Sequence, residues 1–183
     1  MKRQDIPNII SVLRIVLIIP IVWTMLAGQF ALALILFSIA GVSDAVDGFL
    51  AKHYHWESRL GSILDPIADK LLLISSIFTL TWVGLLPLWL LWLVLVRDIF
   101  IVVGGLAYHH ILGEFSLKPL WSSKINTVLQ ISLVLWVVLD QISVIDMKQV
   151  ITINQWLVVA SIINSGSEYI LVWGIQAWKQ MRK

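Results

Sequence analysis

Long apolar runs with few charges dominate the chain, near residues 9–27, 30–52, 62–83, 86–108, 121–140 and 152–177. Each is close to the roughly 20 residues a helix needs to cross a hydrocarbon core. The breaks between them carry turn residues: Ala27-Gly28-Gln29, Gly84 to Pro87, and the polar stretch Asp140 to Lys148. The runs are too continuous for the two-residue alternation of a barrel strand. The pattern predicts an all-α integral membrane protein with six transmembrane helices. Ahead of the first span, residues 2–14 place Ile6, Ile9, Ile10 and Leu13 on one face. That spacing predicts a short amino-terminal interfacial helix. No repeat, low-complexity tract or long linker divides the chain, so residues 1–183 are expected to form a single membrane domain.

Composition agrees. Of 183 residues, 59% are hydrophobic and 13% charged, against about 45–50% and about 25% in soluble domains. A soluble chain of this size buries only about 70% of its surface, so the apolar excess calls for a lipid bilayer. Thirteen basic and 11 acidic residues leave a net charge of +2, too little for a nucleic-acid partner. The absence of cysteine excludes disulfides, thiolate metal sites and thiol nucleophiles.

Charge also orients the spans. With both termini cytoplasmic, Lys2, Arg3, Arg14, Lys52, Arg59, Lys70, Arg97, Lys118, Lys124, Lys179, Arg182 and Lys183 fall on the cytoplasmic side, leaving only Lys148 outside. Trp23, Trp82, Trp89, Trp156 and Trp178 lie near span ends, where aromatic belts form. Lys2, Arg3 and Ala31-Leu32-Ala33 have some features of a cleaved signal peptide, but Asp5, Pro7, Asn8 and Arg14 interrupt its apolar core. An uncleaved start is expected. With no Arg-rich presequence ahead of it, a bacterial cytoplasmic (inner) membrane is the expected location.

Acidic residues inside spans cost roughly 2.5–3.5 kcal/mol each and are functional candidates by default. Four of the 11 lie in Ser43-Asp44-Ala45-Val46-Asp47-Gly48 and Leu64-Asp65-Pro66-Ile67-Ala68-Asp69. Asp44 and Asp47 share one helix face, as do Asp65 and Asp69. Folded about the polar stretch His53 to Leu60, the two helices bring Asp47 level with Asp65 and Asp44 level with Asp69, near the cytoplasmic surface. Four converging carboxylates require cations. An all-oxygen donor set favours Mg²⁺ or Mn²⁺, and Mg²⁺ commonly accompanies substrate phosphates. Gly48 and Gly61 each remove a side chain within a turn of an aspartate, where a ligand can approach the backbone. The plain alternative, acids that merely end helices and pair with lysines, does not account for four in register.

At these residues the chain resembles the CDP-alcohol phosphatidyltransferase family. The family signature D-x2-D-G-x2-A-R-x8-G-x3-D-x3-D falls on Asp44, Asp47, Gly48, Ala51, Lys52, Gly61, Asp65 and Asp69 with every spacing kept. Lys52 stands where the family has Arg, which keeps the charge and loses the bidentate fork. Ile6-Pro7-Asn8 followed by Arg14 is similar to the family's segment before its first span. The resemblance implies transfer of a phosphatidyl group from CDP-diacylglycerol to an alcohol acceptor with release of CMP, and a homodimer with its active site facing the cytoplasm. It further implies two divalent ions held by Asp44, Asp47, Asp65 and Asp69, with Asp69 as general base. Gly48, Ala51, Lys52 and Gly61 would face the nucleotide.

The acceptor is a finer matter, and its candidates are Asn8, Arg14, Lys70, Arg97, Asp98, Lys118, Lys124 and Asn126. The chain is similar both to CMP-forming cardiolipin synthases, whose acceptor is phosphatidylglycerol, and to phosphatidylglycerophosphate synthases, whose acceptor is glycerol 3-phosphate. The latter typically carry a second Arg in the fourth helix and K-x-K-T in the fifth. Here Ala107-Tyr108 and Ser123-Lys124-Ile125-Asn126-Thr127 stand there. Fewer cations suit a phosphodiester better than a dianionic phosphomonoester, so phosphatidylglycerol is the expected acceptor and glycerol 3-phosphate the alternative. Arg97 and Asp98 read as an internal ion pair or part of that site. His53, His55, His109 and His110 lack the partners of a zinc site. Ser165 and Gly166 are expected to pack helices, while Glu168 stays a functional candidate. Asp140, Asp146 and Lys148 are expected in a solvated outer loop. A cation transporter using the four aspartates would need acids near mid-membrane in repeated halves, and neither is seen.

Overall fold

In the computed structural model the described backbone covers residues 6–54, 61–112, 121–143 and 145–181, and within these the side chains of 6–8, 45, 47, 50–52, 62, 63, 105–112 and 172–181 are not described. Six helices follow one another: α1 (Ile6–Leu26), α2 (Phe30–His53), α3 (Gly61–Trp82), α4 (Leu88–Leu112), α5 (Trp121–Asp140) and α6 (Lys148–Met181). They lie where the apolar runs placed spans. Among the described residues two stretches, Ile9–Leu26 and Trp121–Asp140, are long and apolar enough to cross a membrane by length and composition.

Glycines stop α1 and α3 in the same way. Gly28, at φ 70°, donates to the Met25 carbonyl at 3.1 Å while Gln29 donates to Thr24 at 2.8 Å. Gly84, at φ 81°, donates to Thr81 at 3.0 Å while Leu85 donates to Leu80 at 2.9 Å. Both are Schellman caps, in which a left-handed glycine lets two amides satisfy the last carbonyls. After α5, the Met147 amide donates to Asp140 Oδ1 at 2.8 Å, which ties the loop back to the helix end.

The expected interfacial helix is corrected by α1. Among the described residues its positions run without a break into the first span, giving six helices rather than seven. Pro7 lies in the first turn, where its missing N–H costs nothing, and no glycine or proline follows before Pro20. Nothing in the sequence stops a helix once it has begun there. α6 also exceeds its expected span: 34 residues make a rod of about 51 Å, well beyond a hydrocarbon core of about 30 Å.

The chain divides into two compact units, residues 1–86 with 134–147, and residues 87–133 with 148–183. In the first, α1 packs along both α2 and α3, while α2 and α3 do not pack on each other over any length among the described residues. α1 supplies the surface that both helices share. In the second unit α4 packs against α6.

Polarity is arranged as lipid requires. Trp23, Trp82 and Trp121 are 73%, 74% and 76% exposed, and Trp89 and Trp156 are exposed as well. Arg14, Asn126 and Gln130 are fully buried. Exposed apolar patches of this extent are foreign to soluble monomers. Trp178 lies outside the described side chains.

Candidate active site

Within the first unit, three of the four signature carboxylates meet donors from one face of α1. Arg14, three residues after Ser11 and therefore on the same face, is fully buried. Its Nη1 lies 2.7 Å from Asp44 Oδ1 on α2 and donates to Asp69 Oδ1 on α3. Ser11 Oγ donates to Asp65 Oδ1 on α3. The side chains of Asp44 and Asp69 remain 44% and 46% exposed. Two carboxylates from different helices thus share one guanidinium nitrogen while keeping an open side.

The donor set suits a hard divalent cation. It is all carboxylate oxygen, without sulfur or imidazole, and the guanidinium in contact with two of its members shows that the place draws positive charge. Among the described residues no three acidic or histidine side chains stand together as a ready-made metal cage; Asp44 and Asp69 meet at Arg14 Nη1. Asp47 belongs to α2, three residues after Asp44, with its side chain outside the description.

The remaining candidates sort by helix. A Cβ added at Gly48 would meet nothing within 4 Å, so no protein atom needs that glycine and its backbone is open to approach. Ala51 and Lys52 follow on α2, and Asn8 lies on α1; the side chains of all three are outside the description. Gly61 begins α3 and is buried, and Lys70 on α3 is half-buried. His53 ends α2, stacked on Phe49 with centroids 5.4 Å apart and edge-on to Tyr54 at 4.9 Å. His109 and His110 are on α4 without described side chains, and His55 and Lys118 lie outside the described residues.

A second polar cluster occupies the other unit. Arg97 on α4 is 5% exposed and Asp98 8%. Arg97 Nη1 donates to Asp98 Oδ1 at 2.7 Å, and Nη2 donates to Ser123 Oγ on α5 at 2.9 Å and Ser165 Oγ on α6 at 2.7 Å. The internal ion pair is therefore present, and one guanidinium joins three helices. Asn126 is buried and accepts a hydrogen bond from Ser161 Oγ at 2.7 Å. Lys124 is exposed, its ammonium 4.9 Å from the Trp121 ring. Glu168 is half-buried on α6.

Sequence reasoning passed over Ser11, Ser123 and Ser161, and took Ser165 for a packing residue. Ser165 is instead buried as the acceptor of a charged donor. The missed signal for Ser11 was its spacing from Arg14. For the other serines there was none, because a serine facing a guanidinium and one facing a neighbouring helix have the same sequence context.

The family profile of CDP-alcohol phosphatidyltransferases matches residues 4–164. The chain belongs to the CDP-alcohol phosphatidyltransferase family, which sets aside the cation-transporter alternative. A probable cardiolipin synthase (CMP-forming) of Drosophila melanogaster is 35% identical over 145 residues, covering 70% of this chain and 45% of the relative. The cardiolipin synthase (CMP-forming) of Streptomyces coelicolor is 38% identical over 112 residues, 57% of this chain and 52% of the relative. The chloroplastic CDP-diacylglycerol–glycerol-3-phosphate 3-phosphatidyltransferase 1 of Oryza sativa subsp. japonica is 31% identical over 184 residues, 90% of this chain and 56% of the relative. The chain spans about half the length of these curated relatives.

Proposed function

We propose that this chain transfers a phosphatidyl group from CDP-diacylglycerol to the hydroxyl of phosphatidylglycerol, releasing CMP and forming cardiolipin, in a bacterial cytoplasmic membrane. The observation that carries the reading is the meeting of Asp44 and Asp69 at one Arg14 nitrogen, with Asp65 held beside them by Ser11. Three of the signature acids are thereby met by donors from one face of α1, in a chain whose family match runs through both units. Asp69 takes the proton of the acceptor hydroxyl as its oxygen bonds to the lipid-bearing phosphorus and the bond to CMP breaks. Asp44, Asp47, Asp65 and Asp69 would hold two Mg²⁺ or Mn²⁺ ions, which would supply neutralisation of charge on the pyrophosphate. Gly48, Ala51, Lys52 and Gly61 line the path of the nucleotide. All six helices span the bilayer with both termini and the site on the cytoplasmic side, and the working unit is a homodimer.

The choice of phosphatidylglycerol rests on charge. Arg97 is matched by Asp98, and Asn126 stands where a lysine would add a cation. A neutral cluster suits a phosphodiester headgroup better than a phosphomonoester. Names of relatives lean the same way, with cardiolipin synthases at 33–38% identity. Glycerol 3-phosphate remains the second reading because the rice glycerol-3-phosphate enzyme matches 90% of the chain. The test is CMP release by the purified protein with CDP-diacylglycerol and Mg²⁺, offering each acceptor separately. Release with phosphatidylglycerol and appearance of cardiolipin is expected. Release with glycerol 3-phosphate alone would transfer the chain to the second reading.

A further inference from the structure

The cation that touches the signature carboxylates in this fold is part of the chain. Arg14 is fully buried, and one of its nitrogens serves both Asp44 and Asp69, one from α2 and one from α3. A charged group enclosed in this way depends on its counter-ions, since a guanidinium cut off from water is costly without them. The carboxylates are in a different position, because each is nearly half exposed and can take another partner from its open side. We propose that Arg14 and a divalent cation compete for Asp44 and Asp69, so that loading the cation draws Arg14 off the carboxylates. This rests on the metal reading given above and adds to it an opponent built into α1.

Two features make the competition direct. Arg14 addresses Oδ1 of both aspartates through the same nitrogen, so a dication held by these carboxylates would compete for the same oxygens and would repel the guanidinium. Ser11 ties Asp65 from the same face, so α1 holds three of the four acids through two adjacent donors. Cation loading is then coupled to the seating of α1 on α2 and α3. Asp69 also cannot accept a substrate proton freely at an oxygen that already takes the Arg14 bond. Displacement of Arg14 would free the proposed base and leave a guanidinium whose natural new partner is a substrate phosphate.

The experiment uses the full chain in detergent, stripped with EDTA, with Mn²⁺ as the probe. Mn²⁺ binding is followed by electron paramagnetic resonance, and thermal melting is measured with and without the ion. Arg14→Gln should bind Mn²⁺ about tenfold tighter than the unaltered chain. It should melt lower in EDTA, with Mn²⁺ restoring more of the loss than it adds to the parent. Arg14→Lys keeps a charge that reaches one carboxylate at a time, so its affinity should fall between the two. Equal or weaker Mn²⁺ affinity in both variants would overturn the competition and leave Arg14 with a structural role, the metal reading standing. Absence of Mn²⁺ binding in the parent and both variants would overturn the metal reading and this inference with it. If Arg14→Gln does not fold, Arg14→Lys decides alone: tighter binding than the parent supports the competition, and equal or weaker binding overturns it.

Discussion

Asp69 is asked to do two things at once, to accept the Arg14 guanidinium in the fold and to accept a proton in the proposed reaction. Asn at this position keeps the size and one acceptor oxygen but has no basic carboxylate. Asp69→Asn should therefore abolish CMP release while metal-dependent binding of CDP-diacylglycerol largely survives, measured by equilibrium binding of the lipid nucleotide. Joint loss of both would make Asp69 chiefly a ligand. The pairing of Asp44 with Asp69 also shows the reach and limit of spacing arguments at this scale. Loop midpoints put the two acids at one depth, and both meet one nitrogen. The group supplying that nitrogen lies 55 residues from Asp69, and spacing within α2 and α3 has no bearing on it.

Helices were the most legible feature of the chain, and their stops have visible causes. Gly28 and Gly84 adopt left-handed conformations that end α1 and α3, and both lie in breaks marked by turn residues. The start of α1 was less legible, because a stripe of isoleucines suits an interfacial helix and the first turns of a spanning helix equally well. Tertiary contacts chose the second: Ser11 and Arg14 turn inward, where an interfacial helix would have kept an arginine at the surface. Arg97 ties α4 to α5 and α6 through Ser123 and Ser165. Arg97→Ala should destabilise the protein by about 3–5 kcal/mol, since it strands Asp98 inside. Ser165→Ala removes one acceptor from a charged donor and should cost about 1.5–3 kcal/mol. Thermal melting in detergent checks the order; a larger loss from the serine change would mean that stranding Asp98 is not the main cost of losing Arg97.

At the scale of the whole molecule, the described residues place large apolar side chains, tryptophans among them, on the outside, with Arg14, Asn126 and Gln130 fully inside. That arrangement supports a bilayer around the chain even though two helices alone meet the length and hydropathy test among the described residues. The proposed six-span topology makes a checkable statement about sidedness. Reporter fusions after Lys183 should report the cytoplasm, and a fusion in the loop 141–147 should report the opposite side. A cytoplasmic signal from both would remove the spanning assignment of α6 and, with it, the placing of Lys148 outside.

Helix positions, their glycine stops and the signature acids were determined by the sequence alone, because each depends on residues a few places apart: apolar runs of spanning length, a left-handed glycine, aspartates one turn from one another. What only the tertiary structure decided is which groups meet across helices. Ser11 reaches Asp65 over 54 residues, Arg14 reaches Asp69 over 55, and Arg97 reaches Ser165 over 68. Periodicity assigns a side chain to a face of its helix, but the rotation of that face toward a neighbour is settled by packing. In a chain whose apolar residues cover nearly every helix face, hydrophobic pattern does not say which face turns inward. At α1 the rotation follows Arg14, whose buried charge has its carboxylates on α2 and α3.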